Sequence, residues 1–302
     1  MELSIKSKDF LDSFDHISTK KLDEHGKNKL DLFVLKINAN EFDYNSLSDR
    51  LTDPLIDYSL SRKVQERYSD RPAALSKNAR NKFINYIKNK GELGELLLYC
   101  FLETHLNAPK ILSKLELKTA TGQYVNGADG VHFLKLDNGN YQLIFGESKT
   151  IKSLTAALTD AFKSIYEFKN CINANGDDKS GLSYEKSLVS DNLVKEEYND
   201  DEADFIRSII YPKRENTFEV DDAFGIFIGY EITISAEDKR LPNSDFRVKV
   251  QGQIKCEVEK SINHIKKKIE NHGLSGHHFY IYVLPFTDLN DSRKNIQKEI
   301  TA

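Results

Sequence analysis

The sequence predicts a mixed α/β fold, and three observations lead there. Apolar runs of strand length at residues 30–39, 110–120, 130–136, 140–149, 223–234 and 277–286 are interspersed with segments of helical period. Two of these runs, "GVHFLKL" and "NYQLIFGESK", meet at the polar turn Asp137-Asn138-Gly139-Asn140, a strong hairpin signal. The order that results is helix, three strands, helix, strand, helix, strand, which suits a sheet flanked by helices.

The elements follow in order. "LDLFVLKINA" (30–39) reads as a strand. Residues 76–91 read as a helix: Ser76 can cap it, Ala79, Phe83 and Ile87 recur every four residues, and Gly91 can end it. A second helix, 92–106, is apolar nearly all round and is expected to be buried, with Pro109 just beyond its end. The strand "KILSKLELKTA" (110–120) and the hairpin come next. Residues 153–173 form a helix with Ala157, Ala161, Ile165 and Phe168 on one face. Residues 173–204 are expected to form an exposed acidic insertion with a short helix. After the strand 223–234, residues 252–273 place Ile254, Val258, Ile262, Ile265 and Ile269 on one helical face, and Gly273 stops the helix. A last strand at 277–286 precedes a short helix at 288–300.

Composition narrows the function classes. The chain has 302 residues, 39% hydrophobic and 30% charged, which suits a globular protein with a sizeable core. No apolar run approaches the ~20 residues needed to cross a bilayer, so no membrane association is expected. The N-terminus lacks a signal-peptide core, and Cys100, Cys171 and Cys256 are too few and too scattered for a disulfide framework, so a cytoplasmic location is expected. The net charge of −4 argues against a protein that coats DNA. Locally the balance differs. Residues 60–90 carry nine Lys or Arg against two acids, and residues 173–204 carry ten acids against three lysines. Either segment, taken alone, is compatible with an ordinary solvated surface.

The stretch 124–150 carries the candidate chemistry. Glu147 ends the apolar run Tyr141–Phe145, and Lys149 lies two positions on, so both project from the same face of a strand. Glu-x-Lys by itself is weak, since Glu116, Glu167 and Glu237 begin the same triplet. Asp129 precedes Glu147 by 18 positions, and pairing across the turn sets it roughly opposite Glu147 to Lys149. Two carboxylates and the Ser148 carbonyl would make an oxygen-rich site for Mg²⁺, with Mn²⁺ as a substitute. A lysine beside them can hold a phosphate oxygen or help to activate water. The plain alternative is a Glu147–Lys149 salt bridge with Asp129 as a turn acid. Glu95, in the first turn of the apolar helix, is a plausible third carboxylate, although Glu92 and Glu95 would both suit the helix dipole without any further role.

The set Glu95, Asp129, Glu147 and Lys149 resembles the PD-(D/E)xK nuclease superfamily, whose pattern is an acid on a helix, an acid after one strand and Glu-x-Lys on the next. Ala128 stands where that pattern usually has proline. The resemblance implies a restriction-endonuclease-like core: a mixed β-sheet flanked by helices over residues 76–302, with residues 1–75 as an N-terminal extension packed on it. "GELGELLLYCFLE", "GADGVHF", "IFGESKT" with the helix after it, and "HHFYIYVLPF" are similar to the HamA family, nuclease subunits of the bacterial Hachiman antiphage system. This implies an Mg²⁺-dependent DNase acting with a large helicase partner (HamB-like) in a heterodimer. It implies Asp129, Glu147 and Ser148 as metal ligands, with Lys149 and Glu95 assisting.

The basic segment offers a DNA-binding surface in Arg62, Lys63, Arg67, Arg71, Lys77, Arg80 and Lys82, interleaved with Tyr68, Phe83 and Tyr86 for base stacking. The same residues would also suit docking on an acidic protein. His277 and His278 are adjacent on an extended chain and point apart, which makes them poor co-ligands. No GxxxxGK[ST] is present, so no ATPase motor is expected. Two rival readings stand beside the nuclease: a non-catalytic nucleic-acid-binding or regulatory subunit, and a stand-alone sequence-specific restriction endonuclease.

Overall fold

The computed structural model describes residues 2–86, 91–113, 115, 127–172, 175–177, 181–193 and 200–302. The strands are β1 (Phe14–Lys21), β2 (Lys29–Leu35), β3 (Ile37–Asn38), β4 (Glu41–Phe42), β5 (Lys110–Ser113), β6 (Gly130–Lys135), β7 (Tyr141–Thr150), β8 (Val220–Glu231) and β9 (His278–Phe286). The helices are α1 (Tyr44–Ser59), α2 (Arg62–Arg67), α3 (Pro72–Tyr86), α4 (Glu92–Thr104), α5 (Leu154–Asn170), α6 (Leu182–Asn192), α7 (Asp200–Ile210), α8 (Asn243–Asn271) and α9 (Leu289–Thr301). Seven strands form one mixed sheet in the order β1-β2-β9-β8-β7-β6-β5, and β3 pairs with β4 apart from it.

The centre of the sheet is parallel: β7 pairs with β8, β8 with β9, and β9 with β2. Strands covered on both faces read as continuous apolar runs rather than alternating ones. This explains "AFGIFIGY" in β8 and "FYIYVLPF" in β9, whose residues are all buried. The connection from β7 to β8 holds α5 and the acidic insertion, and the one from β8 to β9 holds α8. The outer pairs, β1 with β2 and β5 with β6 and β7, are antiparallel. Residues 14–35 thus add two strands to the sheet that holds residues 110–286.

Helices cover the two faces of the sheet. On β7, Phe145 turns toward Phe168 of α5, with ring centroids 5.4 Å apart. Its neighbour Gly146 turns the other way, and a Cβ there would lie 3.1 Å from Leu98 of α4. Thus α5 and α4 lie on opposite faces. Every residue of α4 is buried, as its apolar composition predicts. Helices α1, α3 and α9 pack on one another outside it, while α8 packs on α5. Ser153 caps α5 by accepting from the Ala156 amide at 3.3 Å, and Asp43 caps α1 from the Ser46 amide at 3.0 Å.

Several expectations need adjustment. The helix expected from residue 76 begins at Pro72, and its expected end, 87–90, lies outside the described residues. The strand expected over 110–120 ends at Ser113; residues 114 and 116–120 lie outside the described residues. The insertion, expected to be exposed with a short helix, holds α6 and the start of α7 among the described residues. It buries Glu185 and Val189 of α6 and Ala203 of α7, and α7 continues past it with buried Ile206, Ile209 and Ile210. Residues 173–174, 178–180 and 194–199 of it lie outside the described set.

A buried carboxylate ties the N-terminus to this frame. Glu103, fully buried in the last turn of α4, accepts from the amides of Ser4 (2.7 Å), Ile5 (3.3 Å) and Lys110 (2.6 Å). Burial raises its pKa, and these three amides with the Lys110 charge partly offset that. Replacing Glu103 with Ala strands three amide donors, two of them beside buried residues. The expected loss is about 3 kcal/mol, read from urea unfolding monitored by circular dichroism.

Candidate active site

The hairpin sets the register of the site. Leu136 and Asn140 close the turn, with the Leu136 amide donating to the Asn140 carbonyl at 2.8 Å, and Gly139 takes the positive φ of +87° that favours glycine. From Lys135↔Tyr141 the ladder runs to Val131↔Phe145. Continued two positions, it sets Asp129 opposite Glu147. Two hydrogen bonds hold that end together. The Asp129 amide donates to the Gly146 carbonyl at 2.8 Å, and the Ser148 amide donates to Asp129 Oδ2 at 2.7 Å. Asp129 is 9% exposed, so its carboxylate is both buried and oriented.

Glu147 and Lys149 lie on the α5 side of β7. Lys149 Nζ is 2.6 Å from Glu147 Oε1, with side chains 24% and 14% exposed. Burial alone would favour the neutral lysine. The charge and hydrogen bond of Glu147, helped by Asp129 and Asp160, outweigh it and hold the Lys149 pKa above the ordinary value. The ion pair foreseen as the plain alternative is therefore present, and Asp129 lies within its electrostatic reach.

Glu95 lies on the other side of the sheet. It is 8% exposed and accepts from the Tyr58 hydroxyl at 3.1 Å. With Asp129, Tyr58, Ser113, His132 and Gly146 it lines a cavity of about 10 Å³, barely the space of one water. Burial first, then the charges of Glu95 and Asp129, push the Tyr58 pKa well up, so its hydroxyl stays a donor. Glu92, three residues earlier and fully buried, faces a different partner. It is near enough to Arg293 of α9 to offset part of the burial that lowers that arginine's pKa. Of the two helix acids, Glu95 is the one beside Asp129. Glycine at position 94 is required by packing: a Cβ there would run into Ser148 Oγ and lie 3.1 Å from Thr150 Cγ2, so α4 could not sit this close to β7.

The expected carboxylates are thus brought together in two pairings, Asp129 with the Glu147–Lys149 strand and Asp129 with Glu95. They do not form one tight triad. Among the described residues, the only group of three His, Cys, Asp or Glu side chains whose ligand atoms all lie within 4.8 Å is His16, Asp31 and His105. At the hairpin, Asp129, Glu147 and the Ser148 carbonyl are the oxygen donors that could hold a metal, with Glu95 on the α4 side of Asp129. These are hard oxygen donors of the kind Mg²⁺ takes, and the oriented Asp129 carboxylate fits that role.

Sequence reasoning passed over Glu185. It comes from the acidic insertion, is 1% exposed, and sits against Gly127, where any Cβ would collide with its Oε2. The insertion thus carries a further carboxylate against Gly127, two positions before Asp129 in the chain. Its helices pack on α5 and β7, whereas the basic helix α3 packs on α1 and α9. The spacing of Glu185 from Val189, four positions on along α6, is the one signal that could have placed it on a buried face.

The basic segment is divided. Lys63, Arg67, Arg71 and Lys77 are exposed, whereas Arg62, Arg80 and Lys82 are half-buried. Arg80 donates to the C-terminal Ala302 carbonyl, and Arg62 donates to the Glu2 carbonyl at 3.3 Å. Arg71 lies over the Tyr68 ring at 5.7 Å. Phe83, expected as a stacking aromatic, is fully buried and belongs to the core. The side chain of Tyr86 lies outside the described residues.

Sheet order and the strand-end acids define a mixed α/β protein with an acid, acid and lysine set on two paired strands. The family model for HamA matches residues 8–300, and the chain belongs to the HamA family, which makes it a Hachiman-type antiphage defence protein. No curated protein matches the chain. Among the described residues no helix is long and apolar enough to cross a membrane.

His132 gives this region a pH signature. Burial holds its pKa down at about 4, against the partial opposition of its hydrogen bond to the Ala108 carbonyl. A folded pKa below the unfolded one means that the neutral form is favoured in the fold. The contribution is complete above about pH 6.5 and is lost as pH falls toward 4. Asp57, raised to about 6 chiefly by burial, acts the opposite way over nearly the same window. Replacing His132 with Gln should therefore leave a variant that gains about 2 to 3 kcal/mol relative to wild type between pH 6.5 and 4.5, as measured by urea unfolding at several pH values.

Proposed function

We propose that this protein is a metal-dependent deoxyribonuclease that hydrolyses DNA phosphodiester bonds as the effector of a complex with a helicase partner. The observation that carries this reading is the Asp129 carboxylate fixed by the Ser148 amide opposite the Glu147–Lys149 strand. Membership of the HamA family supports the defence setting.

The chain's own residues divide the work. Asp129 and Glu147, with the Ser148 carbonyl, would hold Mg²⁺, which supplies positive charge to the scissile phosphate and acidifies the attacking water. Lys149 is cationic in the resting protein, so its first role is to neutralise a non-bridging phosphate oxygen as charge builds there. Its present partner is Glu147 at 2.6 Å, so turning to the phosphate requires that pair to open. Glu95, which accepts from Tyr58, shares a small cavity with Asp129 and would assist in placing the metal or the water from the α4 side. Water attacks phosphorus, the bond to the departing sugar oxygen breaks, and the proton lost by the water ends in solvent or on that oxygen.

A net charge of −4 and an acidic insertion packed beside β7 oppose DNA approach at long range. The isolated chain should therefore nick plasmid poorly at physiological salt, and a partner that delivers DNA should raise the rate. Asp129→Asn and Glu147→Gln should each lower Mg²⁺-dependent cleavage in the complex at least a thousandfold, about 4 kcal/mol of barrier, with circular dichroism unchanged. Cleavage by either variant at the wild-type rate would remove the strand-pair site. Exposed Arg67, Arg71 and Lys77 are the better test of the DNA surface. Changing all three to Ala should reduce the slope of log K against log salt by roughly three if each contacts a phosphate. An unchanged slope with weaker helicase binding would assign them to the partner.

A further inference from the structure

A second set of metal-type ligands lies at the other end of α4. His16 of β1, Asp31 of β2 and His105, just past α4, bring one ligand atom each to within 4.8 Å of one another. His16 Nε2 is 3.0 Å from Asp31 Oδ1. The Thr19 hydroxyl donates to the same Asp31 oxygen and lies 3.2 Å from His16 Nε2. The Tyr282 hydroxyl is 3.4 Å from Nδ1 of His105, which leaves Nε2 as the remaining ring nitrogen. Both imidazoles rest on the same aromatic floor. His16 stacks on Phe33 at 4.5 Å, and His105 meets Phe33 and Tyr282 edge-on at 5.2 and 5.6 Å.

We propose that His16, Asp31 and His105 form a Zn²⁺ site that fastens the β1–β2 edge of the sheet to the end of α4. Two imidazoles and a carboxylate are a zinc donor set, and the Thr19 hydroxyl or a water completes four-coordination. In a tetrahedron with bonds of about 2.0 Å the ligand atoms stand about 3.3 Å apart. His16 is exposed, so its side chain has room to turn toward that spacing. Mg²⁺ is excluded by its demand for an octahedron of oxygens. Charges of both signs act at the site. Asp31 is buried, and the carbonyl end of α4 points here. Lys8 and Lys29 act on His105 in the opposite sense.

The ordering of ligands also gives the site a purpose. β1 is the last strand of the sheet, with a mostly half-exposed pattern, and it is held by β2 and by contacts with α8. A zinc ion would cross-link it to the helix whose opposite end carries Glu95, ten residues earlier or about 15 Å away. The site shares no residue with the hairpin carboxylates, so it stands or falls independently of the nuclease reading.

The test uses the full chain without a histidine tag, stripped with chelator and then titrated with ZnCl₂. Wild type should retain stoichiometric zinc through gel filtration. Its Tm should rise by roughly 5 °C at a hundredfold excess of zinc over Kd, and this rise, unlike any shift given by MgCl₂ at the hairpin carboxylates, should depend on His16 and His105. Co²⁺ should give the visible bands of a four-coordinate site. His16→Asn, at an exposed position, and the His16→Asn/His105→Gln pair should lose retention, shift and bands. The Asp129→Asn/Glu147→Gln pair should keep all three. Substoichiometric zinc in wild type, or retention that survives the histidine changes, overturns the proposal. So does retention that disappears with the hairpin carboxylates instead.

Discussion

The main-chain amide of Ser148, donating to the Asp129 carboxylate at 2.7 Å, is the interaction on which the candidate site depends. It extends the hairpin past the last ladder pair and ties a side chain, rather than only backbone, into the register. Without it Asp129 would be one more acid in a glycine-flanked bend. With it, the carboxylate is aimed at the edge of β7, between Lys149 on one side and Tyr58 on the other, and its charge acts on both. A charge-assisted bond of this kind to a buried acid is about twice as strong as a neutral one.

That placement also explains why the acids do not converge. Side chains of a strand alternate between faces, so Glu147 and Lys149 belong to the α5 side, while Gly146 and Ser148 meet α4. Glu95 arrives with α4. Only Asp129, at the open end of the hairpin, can address both sides. The Glu147–Lys149 pair at 2.6 Å is then a closed arrangement in which two half-buried charges satisfy each other. Glu185 adds a further acid at Gly127, so the acidic insertion is built into the edge of the site.

What was legible in the sequence follows from what is local. The Asp137–Asn140 turn has a fixed residue count, so the partnership of Asp129 with Glu147 could be found by counting outward from it. The continuous apolar runs of β8 and β9 and the largely apolar α4 announced a buried sheet flanked by helices. Three features depended on tertiary context. β1 is an edge strand with a mixed polar pattern and leaves no clean periodicity. The isoleucines of α7 are outnumbered by acids, so a buried face looked like solvent. Phe83 read both as part of the helix face with Ala79 and Ile87 and as a stacking ring among arginines and lysines, and the helix turns it inward to the core. The face on which Glu95 would emerge could not be read from spacing, because it depends on how α4 lies across the sheet.

The central claim is that the Asp129 carboxylate, Glu147 and the Ser148 carbonyl form one metal site when Lys149 releases Glu147. Anomalous diffraction from crystals soaked in Mn²⁺ tests it most directly. The account predicts an anomalous peak bonded to one oxygen each of Asp129 and Glu147 and to the Ser148 carbonyl, with the Lys149 ammonium moved away from Glu147. A map at saturating Mn²⁺ with no peak there, and with Lys149 still on Glu147, would contradict it.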